Sequence, residues 1–252
     1  MHLIEARDLT REYSHGRMTV PALTGVDLDV EAGEFTAIAG PSGSGKTTLL
    51  NLIGCLDRPT RGRLIIDGDD VSSYTPSMLS GLRREKIGFV FQTYNLIPVL
   101  TAYENVELPL VLLGGGTRSE TRGRVMSMLS EVGLAGLENR RPMDLSGGQQ
   151  QRVAIARALV KQPRLVLADE PTANLDSENS EAILALMKTL NETMGATFLF
   201  SSHDPLVIGY ARRLVRMRDG KIALDERRQT ACSASTSGSP LRTCGAAEDE
   251  PS

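Results

Sequence analysis

The stretch FTAIAGPSGSGKTTLLNLIG, residues 35–54, constrains the fold more than any other part of the chain. An apolar run that reads as a buried strand leads into G-x-x-x-x-G-K-T, and the residues after it have helical spacing. In that setting the glycines let backbone N–H groups wrap a phosphate. Lys46 supplies a point charge between two phosphates, and the Thr47 hydroxyl is able to ligate magnesium. The spacing therefore selects Gly40, Pro41, Ser42, Gly43, Ser44, Gly45, Lys46, Thr47 and Thr48 as a phosphate-binding loop between a central strand and a helix.

A second anion-binding design follows in DLSGGQQQRVAIARAL, residues 144–159. Ser146, Gly147, Gly148 and Gln149 open a segment with Val153, Ile155, Ala156 and Leu159 mostly on one face, which predicts a helix. A helix start offers free N–H groups and about half a positive charge to an anion. Two phosphate sites in one small protein require an explanation.

Further chemistry gathers at the ends of apolar runs. RLVLADE delivers Asp169 to a strand end, where a carboxylate is able to hold a hydrated magnesium ion, and places Glu170 one residue beyond. There it is able to accept a hydrogen bond from a water attacking a γ-phosphate. His203 ends ATFLFSSHD and Gln92 ends IGFVFQ, so both side chains are expected on the same sheet edge, His203 near a γ-phosphate and Gln92 at the metal or the water. Tyr13 is a candidate for stacking on a base.

Strand-like runs alternating with helical ones predict an α/β fold with a mostly parallel sheet, which binds ligands at the carboxyl ends of its strands. LIEARDL and VDLDV read as short antiparallel strands before it, parted by turn residues such as Pro21, Gly25 and Gly33. Residues 95–141 read as a helical insertion, with TAYENVELPLVLL and TRGRVMSMLSEVGL separated by Gly114, Gly115 and Gly116. Residues 1–228 are expected to form the domain and 229–252, rich in Ser, Ala, Gly and Pro, a disordered polar tail. No internal repeat is evident.

Composition excludes several classes. A net charge of -3 gives no general electrostatic reason to bind nucleic acid, and none is expected as a partner. No apolar run approaches the ~18 residues of a membrane span, and Glu5, Arg7 and Asp8 stand where a signal peptide would need an apolar core. Cys55, Cys232 and Cys244 have no C-x-x-C spacing, which suggests neither a disulfide framework nor a zinc site and fits a reducing cytoplasm.

LSGGQQQR, in order between the phosphate loop and LVLADEPT, closely resembles the signature motif of the ATP-binding-cassette ATPases. The resemblance spans about residues 1–227 and implies a RecA-like core with an antiparallel β subdomain and a helical subdomain. In that family two cassettes pack head to tail, so that the Ser-Gly-Gly helix start of one meets the γ-phosphate held by the other. This would explain the two anion sites. The resemblance implies ATP and Mg2+ as cofactors, an ATP-dependent homodimer, Tyr13 at the adenine, Gln92 in the Q-loop, Asp176 of ANLD in the D-loop and His203 as the switch histidine. GFVFQTYNLIPVLTAYENVELPL and LLNLIGCLDRPTRGRLIIDG resemble the ATPases of lipoprotein-release and macrolide-export systems. They imply an integral-membrane permease as partner, a place on the cytoplasmic face of the inner membrane, and a permease contact after Gln92, including Leu96, Ile97, Pro98 and Leu100. A regulatory ATPase of a cell-division permease complex uses the same cassette and is the alternative.

Overall fold

A computed structural model describes residues 2–16, 18–114 and 116–228. The polar tail at 229–252, with Cys232 and Cys244, lies outside the described residues. Two strands open the chain, β1 (His2–His15) and β2 (Met18–Glu31), followed by β3 (Phe35–Ala39) and α1 (Lys46–Ile53). Then come β4 (Arg61–Ile66), β5 (Asp69–Asp70), α2 (Pro76–Lys86), β6 (Ile87–Val90), α3 (Ala102–Leu113), α4 (Arg118–Glu131) and α5 (Gly147–Leu159). The chain continues through β7 (Leu165–Asp169), α6 (Ser177–Met194), β8 (Thr197–Ser202), α7 (Pro205–Tyr210), β9 (Arg213–Arg218) and β10 (Lys221–Arg227).

The central sheet has the order β10-β9-β3-β8-β7-β6. Strands β9, β3, β8, β7 and β6 run parallel, and β10 closes one edge antiparallel to β9. Period-two alternation divides its residues between two cores. From β8, Phe198 and Phe200 enter a core shared with α3, α4, α5 and α6, whereas Leu199 faces a second core shared with α1 and the antiparallel sheet. Phe35 joins the first core and packs its ring 4.9 Å from that of Phe200. The second sheet, β2-β1-β4-β5, is antiparallel throughout.

The opening hairpin corrects the sequence reading. Each of its strands has 14 residues, and Pro21 and Gly25 lie inside β2 instead of ending it; only Gly33 sits in a turn. Pro21 is tolerated because β2 is an edge strand, where a missing N–H breaks no ladder. Gly25 has φ +61° where the register slips between the pairs Leu9–Val26 and Arg11–Leu23, a bulge that a side chain would strain. Between β6 and α5 the sheet is interrupted by α3 and α4, with Gly114 as the left-handed cap that ends α3. Both helices begin with a capping box, Thr101 with Glu104 and Thr117 with Glu120, which satisfies the first free N–H groups.

Candidate functional site

The fully buried β3 drives its last residue to the sheet edge, where residues 40–45 turn and α1 starts at Lys46. Gly45 is required at the turn. It has φ +101°, and a Cβ there would come within 2.7 Å of the Ala22 carbonyl. Lys46 is 9% exposed, and its ammonium donates to the carbonyls of Gly40 at 2.8 Å and Pro41 at 3.1 Å, so the loop itself holds the charge in place. A cleft of about 690 Å3 opens in front of it. Pro41, Ser42, Gly43, Gly45, Lys46, Thr47 and Thr48 line one side, Gln92, Glu170, Ala173 and His203 the other, and Val20, Pro21 and Ala22 of β2 form an apolar end. Ser44, 2% exposed, is turned beneath the loop, and Gly40 contributes its carbonyl to Lys46 without lining the cleft.

The acidic residues arrive on β7, two strands from the loop. Asp169 lies behind Thr47, with both carboxylate oxygens 3.4 Å from the Thr47 hydroxyl. Glu170 follows with φ +46°, a left-handed conformation uncommon for a residue with a side chain. Its N–H donates to the Ser201 carbonyl and hydroxyl. Its Oε1 lies 2.8 Å from His203 Nδ1, and its Oε2 accepts from the Ser202 hydroxyl at 3.3 Å. His203 is largely exposed at the cleft mouth, whereas Glu170 is mostly covered. The Gln92 carbonyl is held by the Asn174 amide at 2.9 Å, which ties the segment after β6 to the segment after β7.

Not every residue singled out from the sequence reaches this cleft. Ser146, Gly147, Gly148 and Gln149 form the start of α5, where a capping box uses the Ser146 hydroxyl and the Gln149 side chain, and none of the four lines the cleft. Ser146 is exposed and lies outside the cleft of its own chain. Asp176 also stays outside: it caps α6, and both its oxygens accept from the Asn179 side chain. The backbone N–H of Asn179, and then its side chain, hold the Asp176 carboxyl below the usual carboxylate range. Tyr13 does not line the cleft either. Its hydroxyl donates to Asp57 at 2.8 Å and the Arg11 guanidinium covers its ring at 4.6 Å, although Val20, its partner across the hairpin, does reach the cleft.

Sequence reasoning missed Ser201, Ser202 and Asn174. All three act on the backbone or side chains of residues that it did identify, and a serine or asparagine beside a strand end carries no pattern of its own. Pro98 and Val99 after Gln92 are exposed, while Leu96, Ile97 and Leu100 are half-buried, with Leu96 packed against the first core.

The donor set suits magnesium. Thr47, Asp169 and Gln92 offer hard oxygen atoms, too few for a closed protein cage but appropriate for an ion that keeps waters and phosphate oxygens. Among the described residues no group of three or more His, Cys, Asp or Glu is placed to hold a metal by itself.

A parallel sheet carrying a phosphate loop on one strand and paired carboxylates two strands away defines a nucleotide-binding α/β ATPase domain. The chain belongs to the ABC transporter family, whose model matches residues 23–173. It is 51% identical over 223 residues to the macrolide export ATP-binding/permease protein MacB of Syntrophobacter fumaroxidans, a match covering 88% of this chain and 31% of that one. The chain thus spans about a third of the length of that relative. It is 49% identical to YvrO, an uncharacterized ABC transporter ATP-binding protein of Bacillus subtilis, covering 89% of this chain and 97% of the relative. Among solved structures, the ATP-binding cassette MJ0796 in a dimeric post-hydrolysis state with ADP and phosphate superposes with a TM-score of 0.83 at 45% identity, covering 90% of this chain and 99% of that one. MJ0796 is a protein of Methanocaldococcus jannaschii. No helix among the described residues is long and apolar enough to cross a membrane.

Proposed function

We propose that this chain is the ATP-hydrolysing subunit of a membrane transport or mechanotransmission system of the lipoprotein-release and macrolide-export type, and that two copies close head to tail around two ATP molecules. The observation that carries this reading is the separation of the two anion sites. The cleft holds Lys46, Glu170 and His203, while the capped start of α5 does not line it. Each site is half of a phosphate cradle, and a second copy supplies the missing half.

The residues divide the work. Loop N–H groups and Lys46 neutralise the β- and γ-phosphates, and Lys46 exchanges the carbonyls of Gly40 and Pro41 for phosphate oxygens. Glu170 accepts a hydrogen bond from the attacking water and orients it in line with the bond to the leaving oxygen. His203 holds Glu170 on one side and faces the γ-phosphate on the other, so loss of that phosphate is felt at His203. Ser146 and the N–H groups of Gly147 and Gly148 complete the partner's γ-phosphate site. Thr47, Asp169 and Gln92 would hold magnesium, which would offset negative charge on the bound phosphates. The segment after Gln92, with Pro98 and Val99 exposed, is the proposed contact for the permease, and the MacB relative, named as an ATP-binding and permease protein in one chain, supports that pairing.

Gel filtration with Mg-ATP tests the reading. Glu170→Gln is expected to bind ATP, turn over slowly and elute as a dimer, whereas Lys46→Ala elutes as a monomer. A Ser146→Arg protein that still dimerised with ATP would remove the head-to-tail arrangement. Affinity purification of Glu170→Gln from native membranes identifies the permease, and recovery of division proteins instead would select the regulatory alternative.

A further inference from the structure

Ser201 is fully buried in the central strand β8, on the side of the sheet that faces α1. Two residues earlier that face carries Leu199, so an apolar side chain would continue the pattern. A buried hydroxyl is costly unless its hydrogen bonds are made. Here they are made to Asp169 and Glu170. Ser201 and Asp169 are register partners on neighbouring parallel strands, and the Ser201 hydroxyl donates to Asp169 Oδ1. The Ser201 hydroxyl oxygen in turn accepts the Glu170 N–H at 3.1 Å. Its only hydrogen is spent on Asp169, and the Glu170 N–H fixes the direction of a lone pair, so the hydroxyl is not free to rotate.

We propose that Ser201 is a positioning residue which sets the Asp169 carboxylate and the Glu170 backbone relative to one another. The proposal rests on the reading of the cleft as an ATP-hydrolysis site. One oxygen atom joins the carboxylate that would hold the hydrated metal to the residue that would hold the attacking water. On the metal side, Ser201 anchors Oδ1 from within the sheet while Thr47 faces both oxygens from α1. On the water side, it braces a residue with φ +46°, whose side chain is then directed to His203 and Ser202. Removing the hydroxyl leaves the Glu170 N–H its bond to the Ser201 carbonyl, so the strand end stays formed while the orientation is loosened.

The test uses Mn2+ as a paramagnetic probe. Its affinity for the protein–ADP complex is measured by electron paramagnetic resonance, next to ADP affinity in EDTA and steady-state kinetics with Mg-ATP. Ser201→Ala is expected to weaken Mn2+ binding about 10-fold, as removal of a group that orients a metal ligand does. Metal-free ADP affinity should be unchanged, and kcat should fall more than KM changes. Ser201→Thr keeps the hydroxyl on a side chain suited to a strand and should restore both values. In an Asp169→Asn background, Ser201→Ala should have no further effect on Mn2+. A Ser201→Ala protein with wild-type Mn2+ affinity and kcat overturns the proposal. So does one that loses Mn2+ and metal-free ADP affinity in equal proportion, which marks a general loosening. A wild-type protein that failed to hydrolyse ATP would instead overturn the reading of the cleft.

Discussion

His203 Nδ1 and Glu170 Oε1 are 2.8 Å apart, one beyond the end of β8 and the other beyond the end of the neighbouring β7. The imidazole is largely exposed and the carboxylate mostly covered, so the pair spans the boundary between the cleft wall and its mouth. His203→Ala removes the ring beside Oε1, leaving the Glu170 carboxylate with the Ser202 hydroxyl as its remaining partner among the described residues, while the backbone stays on Ser201. Misplacement of a positioned group by about 1 Å costs on the order of 100-fold in rate. The expected outcome is that scale of loss in kcat with ATP affinity preserved, read by phosphate release and by equilibrium binding.

Gly148 packs against α6. A Cβ there would fall 2.8 Å from Asn179 Oδ1, and Asn179 is pinned by Asp176, so the α5 start would shift. Gly148→Ala is expected to abolish ATP-dependent dimerisation while leaving ATP binding to the loop intact, as gel filtration and a nucleotide-binding assay would show together.

Arg213 is 7% exposed and bridges Glu34, Asp225 and the Asp29 carbonyl, joining β9 to β10 and to the end of β2. Without Arg213, the largely covered Glu34 carboxylate keeps only the exposed Arg227 as a cationic partner, a loss of at most about 3 kcal/mol. Arg213→Met should therefore lower the unfolding free energy by up to that amount without changing KM for ATP, measured by denaturant titration and kinetics.

Lys161 donates to the carbonyls of Arg83 and Arg84 at the end of α2, and burial pushes its ammonium down to about 8. The ordinary lysine value is higher, so between about pH 8 and pH 10.5 the unfolded chain binds more protons at this site than the folded one. The cost of burying the charge is fully present below pH 8 and is relieved as pH rises through that window. Discounted for the part of the side chain that remains in water, the gain is about 1–2 kcal/mol. Stability of the wild type relative to Lys161→Met should rise by that amount from pH 7.5 to pH 10.5 in paired urea titrations.

Local patterns made some elements legible and left others obscure. SENSEAILALMKTLNETM occupies α6 from end to end because an Asp176 cap, a continuous apolar stripe and Gly195 at the close all agree. The phosphate loop was legible because strand, glycines, lysine and helix occur in one run. The hairpin was underestimated because Pro21 and Gly25 usually punctuate, and an edge position with a bulge is a tertiary circumstance. Helix α2 went unread although Thr75 and Pro76 form a cap and first-turn proline; its residues are too polar to show a stripe. Within the site, Asp169, Glu170, Gln92 and His203 were placed by strand ends. The bonds that orient them come from Ser201, Ser202 and Asn174, and those contacts join residues distant in the chain. Tyr13 and Asp176 show the converse, since a motif names a residue without naming the neighbour that occupies it.

Helix α5 grips the segment after Gln92 at two points. Near its start, Gly147 leaves just enough room for the Tyr94 hydroxyl, and near its end Arg157 donates to the carbonyls of Tyr94 and Asn95. Tyr94 and Asn95 both have positive φ, so this short segment is bent into its shape and clamped there. With two fixed points on one helix, residues 94 and 95 cannot be displaced without breaking a contact with α5, the same helix that Ser146 caps at its exposed end.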